Sequence, residues 1–477
     1  MQMSRTVVGG FLFAAQRASR SLNHVSRRKR SKYELDSMDC RGPAHHPPPH
    51  GRAAATAIVL GALLLAACAN TPPRPAGDPV AVELGPVVRL LDVRTSNDQL
   101  TTLIDDAGDA HVIIASRADS MLRHLVVQPT GAISLNEVIR QDLKVFTVDA
   151  ALDGAGRLHV LADLQHLVRE PSGFWSEAAT PWAAASLDTF LPRFVAGGPR
   201  DRPLLYAFDV KGKEVGAPAR WDWYGVGGGF GAGIIWPWRT RGSRLALAVE
   251  DGGRYEDWWV VDLDDNEDVA DWSAVADPDG GVHVVYDAQR NVLAAQSLAR
   301  YAHIESAVAD DASPFRDIAG HRVRSVPGTA LPPTPEAPVI GMASALGFNA
   351  ATRELLLVRQ HHGGRVLRDG MWGPEVPFPM SLAWEPRVLP SAAGAFDVVV
   401  TGSKADSPSG YQQPVFYLRF RDDRWSAPVE IADAASASFF GSVWGAVRIA
   451  NDGKERVFVT WPVPDGIEAR WLQVPVK

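Results

Sequence analysis

Aspartate, glycine and histidine recur at fixed spacing in this sequence, and these residue types can build an acid–base site, a metal site or a repeated turn. Three segments align without gaps, with Asp six residues and Gly three residues before His: "DDAGDAHVIIA" from Asp105, "DGAGRLHVLAD" from Asp153 and "DPDGGVHVVYD" from Asp277. A catalytic histidine is expected once in a site, whereas these occupy equivalent places before strand-forming residues. We therefore predict a structural role, in which each ring bonds to the preceding turn, for His111, His159 and His283.

The same repeat indicates how the chain is organised. The three histidines are 48 and then 124 residues apart, close to one and three units of about 41 residues, the length range of propeller blades. Five further segments have strand-then-turn character: "RPLLYAFDVKG", "SRLALAVEDGG", "RELLLVRQHHGG", "AFDVVVTGSK" and "KERVFVTWPV". The sequence thus predicts an all-β fold, a single β-propeller of about eight four-stranded blades, with seven as the alternative if one unit is an insertion.

A second repeat places tryptophan after a turn, in "SGFWSEA", "DGMWGPEV" and "DDRWSAPVEI". The residues are Trp175, Trp372 and Trp425. In a propeller, such side chains fill the wedge between neighbouring blades, so most of the 15 tryptophans are expected in the core.

Together, the Asp-x-x-Gly-x-x-His units and the Asp-Gly-x-Trp-(Ser/Gly) turns resemble the sialidase-like, Asp-box-related propellers of exported bacterial proteins. The resemblance covers about Leu100 to the C-terminus, and the full Asp box, Ser-x-Asp-x-Gly-x-Thr-Trp, does not occur intact. It implies the fold, and a shared fold does not determine activity. Sialidases resemble one another in an Arg-Ile-Pro motif, two more arginines that clamp the substrate carboxylate, and a Tyr/Glu nucleophile pair. Here Arg193 in "LPRFVAG" and Arg387 in "EPRVLPS" lack that motif, and each either binds an acid or faces solvent.

Aromatic residues bracket the glycine-rich stretch "GVGGGFGAG", which lacks the Lys-Ser/Thr of a phosphate-binding loop. They form either a stacking platform for a sugar or apolar ligand, or packing between blades. These candidate ligand-binding residues are Trp221, Trp223, Tyr224, Trp236 and Trp238.

Other patterns for metal or catalytic chemistry are incomplete. The stretch "DLDDNED" offers alternating oxygen ligands for calcium, but it has Glu267 where a calcium loop needs glycine, which favours a solvated acidic turn. Its oxygen ligands would come from Asp262, Asp264, Asn266 and Asp268. The sequence has no Gly-x-Ser-x-Gly elbow and no His-Glu-x-x-His helix, and its two cysteines cannot form a Cys-based zinc site. We therefore predict no resident cofactor or metal, with calcium at this turn as the alternative.

The N-terminal region has the features of an export signal. Residues 53–67 form an apolar run after Arg52 and end in Leu-Ala-Ala-Cys, which resembles a bacterial lipobox with Cys68 as the lipidated residue. Ala69 favours sorting to the outer membrane, and translation starts at Met1 or Met38. The predicted organisation is a leader and signal peptide (1–67), a Pro-rich tether (68–84) and the propeller (85–477), with an insertion at about 305–338.

The overall composition limits the partners. The chain has 477 residues and a formal net charge of −7, so it has no excess basic surface for nucleic acid. We predict a monomeric, lipid-anchored binding or scaffold module of the bacterial cell envelope for a glycan, peptide or partner protein; the alternative is a sialidase-like hydrolase. Carboxylates from three or more blades beside Arg193 or Arg387 would favour the hydrolase.

Overall fold

The computed structural model of the chain describes residues 79–92, 99–116, 119–142, 145, 147–185, 188–195, 205–211, 219–226, 234–241, 243–249, 257–261, 268–291, 294–305, 316–318, 321–331, 344–360, 362–380, 383–402, 412–436 and 447–475. Most of them lie in β-strands, nearly all of which pair antiparallel, and the α-helix among them, α1, is the short segment Pro181–Ala185. Within these residues, no helix has the length and hydropathy needed to cross a bilayer. The predicted signal peptide, with Cys68, lies outside the described residues.

Seven sheets form the blades of a β-propeller. The first strand, β1 (Glu83–Leu91), belongs to the last blade. Blade 1 comprises β2 (Gln99–Ile104), β3 (Ala110–Ser116), β4 (Met121–Val127) and β5 (Ile133–Arg140); blade 2 comprises β6 (Val148–Leu152), β7 (Leu158–Ala162), β8 (Gln165–Arg169) and β9 (Trp175–Ala178). Blade 3 contains β10 (Asp188–Phe194), β11 (Leu205–Lys211), β14 (Ser243–Val249) and β15 (Asp257–Val261). Between β11 and β14 the chain forms a separate hairpin of β12 (Ala219–Val226) and β13 (Ile234–Arg241).

The remaining blades follow in chain order. Blade 4 comprises β16 (Asp268–Ala276), β17 (Val282–Asn291), β18 (Ala294–Ile304) and, after β19 (Arg316–Ile318) and β20 (His321–Val326), β21 (Thr329–Ala330). Blade 5 comprises β22 (Ser344–Asn349), β23 (Glu354–Arg359), β24 (Gly363–Arg368), β25 (Met371–Trp372) and β26 (Val376–Pro377). Blade 6 comprises β27 (Ala383–Pro390), β28 (Phe396–Gly402), β29 (Gln412–Arg421), β30 (Arg424–Trp425) and β31 (Val429–Ser436); blade 7 comprises β32 (Arg448–Asn451), β33 (Arg456–Val463), β34 (Gly466–Gln473) and β1.

The number of blades is seven, the alternative prediction, and not eight. The segments "RPLLYAFDVKG" and "SRLALAVEDGG", counted from the sequence as two units, contain β11 and β14, which pair with each other in one blade from Leu205↔Val249 to Lys211↔Ser243. The hairpin of β12 and β13 lies between them in the chain. A strand-forming insertion therefore lengthened blade 3 and imitated an additional repeat.

The propeller is closed by pairing the two ends of the described chain. The N-terminal β1 pairs antiparallel with β34 in the C-terminal blade, from Glu83↔Gln473 to Leu91↔Ile467. Val88 and Leu90 of β1 are buried in a cluster shared by blades 7 and 1. Because β1 forms the outer strand of blade 7 while the chain continues into blade 1, opening the ring between these two blades requires breaking the whole β1–β34 strand pair.

The recurring aspartates form the turn between the first two strands of a blade. In this turn, Oδ1 of Asp105, Asp153, Asp277 and Asp452 accepts a hydrogen bond from the backbone N–H four residues later. In blades 1, 2 and 4 the glycine three residues after the aspartate has positive φ, 85° at Gly108, 75° at Gly156 and 90° at Gly280, a conformation that disfavours other residues. Blade 7 thus contains a variant of this turn at Asp452, in which glycine follows the aspartate directly (Gly453, φ 69°), Glu455 stands at the usual glycine position and Phe458 replaces the histidine.

The repeated tryptophans contact the preceding blade. Trp175 Nε1 of blade 2 donates to Glu137 Oε1 of blade 1 at 3.2 Å, and Trp425 Nε1 of blade 6 donates to the Val376 oxygen of blade 5 at 2.9 Å. Trp372 of blade 5 packs edge-on against Tyr301 of blade 4, with ring centroids 5.4 Å apart. These side chains therefore join neighbouring blades through both apolar contact and hydrogen bonds.

The predicted insertion at 305–338 includes strands. β19 and β20 add to the outer edge of blade 3, where β20 pairs in parallel with β15, whereas β21 forms the fourth strand of blade 4. This segment therefore connects blades 3 and 4 at their outer edges.

Candidate ligand site in the central channel

The innermost strands of neighbouring blades contact one another and line the propeller channel. Arg193 on β10 and Arg387 on β27 occupy matching positions in blades 3 and 6, each directly after a proline. In both strands the register shifts immediately before the arginine, between Phe190 and Arg193 and between Trp384 and Arg387. Proline is accommodated at such irregularities because they do not need its missing N–H, and the bulge reorients the next side chain.

A third arginine, Arg448, begins the innermost strand of blade 7. Burial and, to a smaller extent, the positive charges of Arg387 and Arg193 lower its pKa to about 9. Glu385 and Asp149 act in the opposite direction. Three blades thus place arginines within electrostatic range of one another, an arrangement that favours an anion between them.

Two carboxyl groups accompany the arginines. Asp149 of blade 2 accepts a 2.8 Å hydrogen bond at Oδ2 from the Phe194 N–H of blade 3. Burial raises the pKa of Asp149, and Arg193 and Arg448 partly oppose this. Burial likewise raises the pKa of Glu385, which has an unusual positive φ of 49°. The channel therefore combines cationic donors with carboxyl groups that gain protons more readily than solvated ones.

Trp272 of blade 4 borders this cluster. The Arg193 guanidinium carbon lies 4.9 Å from the centroid of the buried Trp272 ring, a cation–π contact. The contact holds Arg193 against an aromatic face, which restricts its orientation within the channel.

The structure brings together Arg193 and Arg387, and it adds Asp149, Glu385 and Arg448, which the sequence did not identify. The shared Pro-Arg pair in "FLPRF" and "WEPRV" was the available signal, because it marks the same bulge in two blades. Among the described residues, carboxyl groups of this cluster come from two blades, fewer than the three taken to favour a hydrolase.

The predicted aromatic platform lies in the β12–β13 hairpin, where Trp221 pairs with Arg239 and Tyr224 pairs with Trp236 in the backbone register. The backbone places Trp223 and Trp238 in the same hairpin. Of the predicted calcium ligands, Asp268 begins β16, whereas Asp262, Asp264 and Asn266 lie outside the described residues.

The recurring histidines belong to hydrogen-bonded chains within the blades. In blade 1, His111 Nε2 lies 3.1 Å from Asp105 Oδ2, and its Nδ1 lies 2.9 Å from His124 Nε2. The chain continues from His124 Nδ1 to Glu137 Oε1 at 2.8 Å. Because these groups satisfy one another at the blade interior, they stabilise the sheet without presenting a free base.

Blade 2 repeats this arrangement. His159 Nε2 lies 3.1 Å from Asp153 Oδ2, and its Nδ1 lies 2.9 Å from His166 Nε2. His166 Nδ1 then lies 3.1 Å from the Tyr206 hydroxyl of blade 3. The pKa values of His124 and His166 fall to about 4, chiefly through burial, so both rings are neutral at pH 7.

Comparison with known proteins identifies propellers of several activities. Virginiamycin B lyase from Staphylococcus aureus is similar over 83% of this chain and 100% of its own, with 11% identity and a TM-score of 0.41. An α-L-arabinanase from Penicillium chrysogenum (9% identity, 82% and 98% coverage, TM-score 0.42) and a fucose-specific lectin from Aleuria aurantia (11%, 73% and 100%, 0.38) are also similar. No protein-family model and no curated protein matches the chain. These likenesses concern the fold, and the class that the fold defines is a seven-bladed β-propeller.

Proposed function

We propose that this propeller is a binding module whose channel takes an acidic glycan, with the sugar carboxylate held by Arg193, Arg387 and Arg448. The supporting observation is the convergence of these arginines from three blades, where burial and the neighbouring positive charges of Arg387 and Arg193 lower the pKa of Arg448. A bound carboxylate relieves this repulsion and accepts paired guanidinium hydrogen bonds.

The two carboxyl groups favour a sugar acid over a more highly charged anion. Asp149 and Glu385 would repel a dianionic phosphate beside the same arginines, whereas they can accept hydrogen bonds from sugar hydroxyls. A monoanion with many hydroxyl groups therefore matches both halves of the cluster. The acidic balance of the whole chain also disfavours polyanions such as nucleic acid.

Binding can be tested by calorimetry with uronic-acid and sialic-acid oligosaccharides, with neutral oligosaccharides of equal length as controls. Arg448→Met and Arg387→Met should each weaken acidic-glycan binding at least 10-fold. Arg140→Met is the matched control, since Arg140 is 47% exposed and pairs with Glu177 on the outer part of blades 1 and 2. Equal affinity for acidic and neutral glycans, or unchanged affinity in both channel variants, would contradict the proposal.

Hydrolysis of the same glycan is the second candidate, and the raised pKa of Asp149 favours it, because a general acid must hold a proton near neutral pH. Asp149 would protonate the leaving oxygen, and Glu385 would supply the second carboxyl group. Fluorogenic acidic glycosides test this: turnover that Asp149→Asn abolishes would assign an enzyme, and binding without turnover would assign a lectin-like module.

We also propose that the module is anchored by a lipid on Cys68 at the outer membrane and acts as a monomer. The lipobox-like sequence and Ala69 support this placement. A Pro-rich tether would separate the propeller from the membrane surface and leave the channel accessible to glycans.

A further inference from the structure

Blade 4 differs from blades 1 and 2 at the repeated histidine. His283 Nε2 lies 3.6 Å from Asp277 Oδ2, whereas the corresponding distances are 3.1 Å at His111 and at His159. A separation of 3.6 Å exceeds an ordinary hydrogen bond. Within the described part of the chain, His283 Nε2 is buried and has no hydrogen-bond partner. An unpaired buried nitrogen is costly, so this position requires an explanation.

A second histidine reaches the same aspartate oxygen. His303 on β18 pairs directly with His283 on β17, and their rings stack with centroids 4.3 Å apart and 5° between planes. His303 Nε2 lies 3.7 Å from Asp277 Oδ2. One ligand atom from each of the three residues therefore belongs to a compact cluster, in which all three atoms lie within 4.8 Å of one another.

We propose that Asp277, His283 and His303 bind a late first-row divalent metal ion, with zinc as the ion to test. Two imidazoles and one carboxylate are a donor set that such ions prefer. Tetrahedral zinc with ligand bonds of about 2.1 Å separates its ligand atoms by about 3.4 Å. The two Asp277–histidine separations, 3.6 and 3.7 Å, are close to this value, and metal binding would tilt the two stacked rings so that both Nε2 lone pairs meet at the ion.

Hydrogen bonds to neighbouring groups orient two of the three proposed ligands. Asp277 Oδ1 accepts the Asp279 and Gly281 N–H groups at 2.8 Å, which fixes the carboxylate and leaves Oδ2 directed at the histidines. His283 Nδ1 lies 2.8 Å from the Tyr301 hydroxyl. When Nδ1–H donates to that hydroxyl, Nε2 presents its lone pair to the metal, as a ligating histidine requires.

Glycine at position 281 leaves space for the ion. A Cβ atom there would lie 2.5 Å from Asp277 Oδ2 and 3.0 Å from His303 Nε2. At the equivalent position of blade 2, Arg157 bonds to Asp153 Oδ2 at 2.6 Å and fills this space. Blade 4 therefore has an additional histidine, and it has no side chain at the position where blade 2 has an internal ion pair.

The site has one open side. Asp277 and His283 side chains are 7% and 8% exposed, whereas His303 is 36% exposed. Water from the His303 side can supply a fourth ligand, as in three-ligand zinc sites. The ion would join the first turn of blade 4 to its second and third strands, and it would thereby stabilise this blade independently of the channel.

The test uses the full chain, purified without a polyhistidine tag, stripped with EDTA and titrated with ZnCl₂ by calorimetry. The leader segment "HHPPPH" also contains histidines, so the readout is the difference between wild type and variants. Wild type should bind one tight equivalent that His303→Ala and Gly281→Ala lose. His111→Ala, which removes the corresponding histidine of blade 1, should retain it. Tyr301→Phe should weaken the site about 10- to 100-fold.

A second measurement follows the thermal midpoint in zinc and in EDTA. Zinc should raise the midpoint of wild type and His111→Ala, and it should leave that of His303→Ala unchanged, since binding to the folded state alone stabilises it. The partly exposed His303 can be replaced without opening the core, so this variant separates metal loss from misfolding. Equal zinc stoichiometry in wild type and His303→Ala, or no tight equivalent in wild type, would overturn the proposal.

Discussion

Acid should unfold this propeller well above the pKa values of ordinary carboxyl groups, because two buried histidines must remain neutral in the fold. His124 is fully buried and His166 nearly so, and the pKa of each falls from 6.5 to about 4. The unfolded chain therefore binds more protons than the folded chain between these values. Their contribution to stability is complete above pH 6.5 and is lost as the pH falls towards 4.

The magnitude follows from linkage. At pH 5, a histidine with folded and unfolded pKa values of 4 and 6.5 costs about 2 kcal/mol, so the two together cost about 4 kcal/mol. The free energy of unfolding should fall by about 2.4 kcal/mol per pH unit near pH 5. This loss of about 4 kcal/mol is a substantial fraction of the 5 to 15 kcal/mol that is typical of folded domains.

The groups around the two histidines alter this slope in known directions. His124 faces His111, Glu137 and Arg169, and His166 faces His159 and Arg157. The lowered pKa of Glu137 adds a further loss of stability at lower pH. The raised pKa values of Asp149 and Glu385 act in the opposite sense, since the folded state takes up their protons first.

Urea unfolding followed by tryptophan fluorescence between pH 4.5 and 8, in EDTA, measures the slope. His124→Gln and His166→Gln retain a donor and an acceptor at each position but cannot take up a proton, so each should reduce the slope by about one proton. The reasoning is refuted if wild type takes up less than one proton on unfolding at pH 5, or if neither substitution changes the slope.

Three further predictions concern closure, packing and the anchor. Deleting residues 1–91 removes β1 and should lower the thermal midpoint strongly, because the buried Val88 and Leu90 are lost and the edge of β34 is exposed. Deletion of residues 1–78 is the control, and equal thermal midpoints for the two deletions would contradict closure by β1. Gly347→Ala should destabilise the protein by about 1–3 kcal/mol in urea, since its Cβ would lie 2.6 Å from Val388 Cγ1. Gly373→Ala, whose nearest contact would be 3.4 Å, should cost less, and an equal effect would be evidence against this explanation. Cys68→Ser should leave the N-terminus unlipidated in mass spectrometry, and an unmodified residue 68 in the wild type would disprove the anchor.

The histidine of blade 4 shows how far sequence comparison could lead. The spacing of Asp277 and His283 matches that of blades 1 and 2, so a shared structural role was the natural prediction. His303 lies 20 residues further on and outside the motif, and only the β17–β18 register brings it beside His283. The sequence shows glycine at position 281, where blade 2 has Arg157, but the effect of this glycine depends on which atoms a side chain at that position would contact.

Local repeats were determined by the sequence itself. The Asp-x-x-Gly turns and the strand that follows them depend on hydrogen bonds between residues four to six positions apart, so the pattern predicts them directly. The tertiary structure alone decided the number of blades, the closure of β1 on β34 and the meeting of Arg193, Arg387 and Arg448 in the channel. These features bring together residues that are far apart in the sequence, up to hundreds of positions. They depend on which strands pair and in what register, and local spacing in the sequence does not determine either.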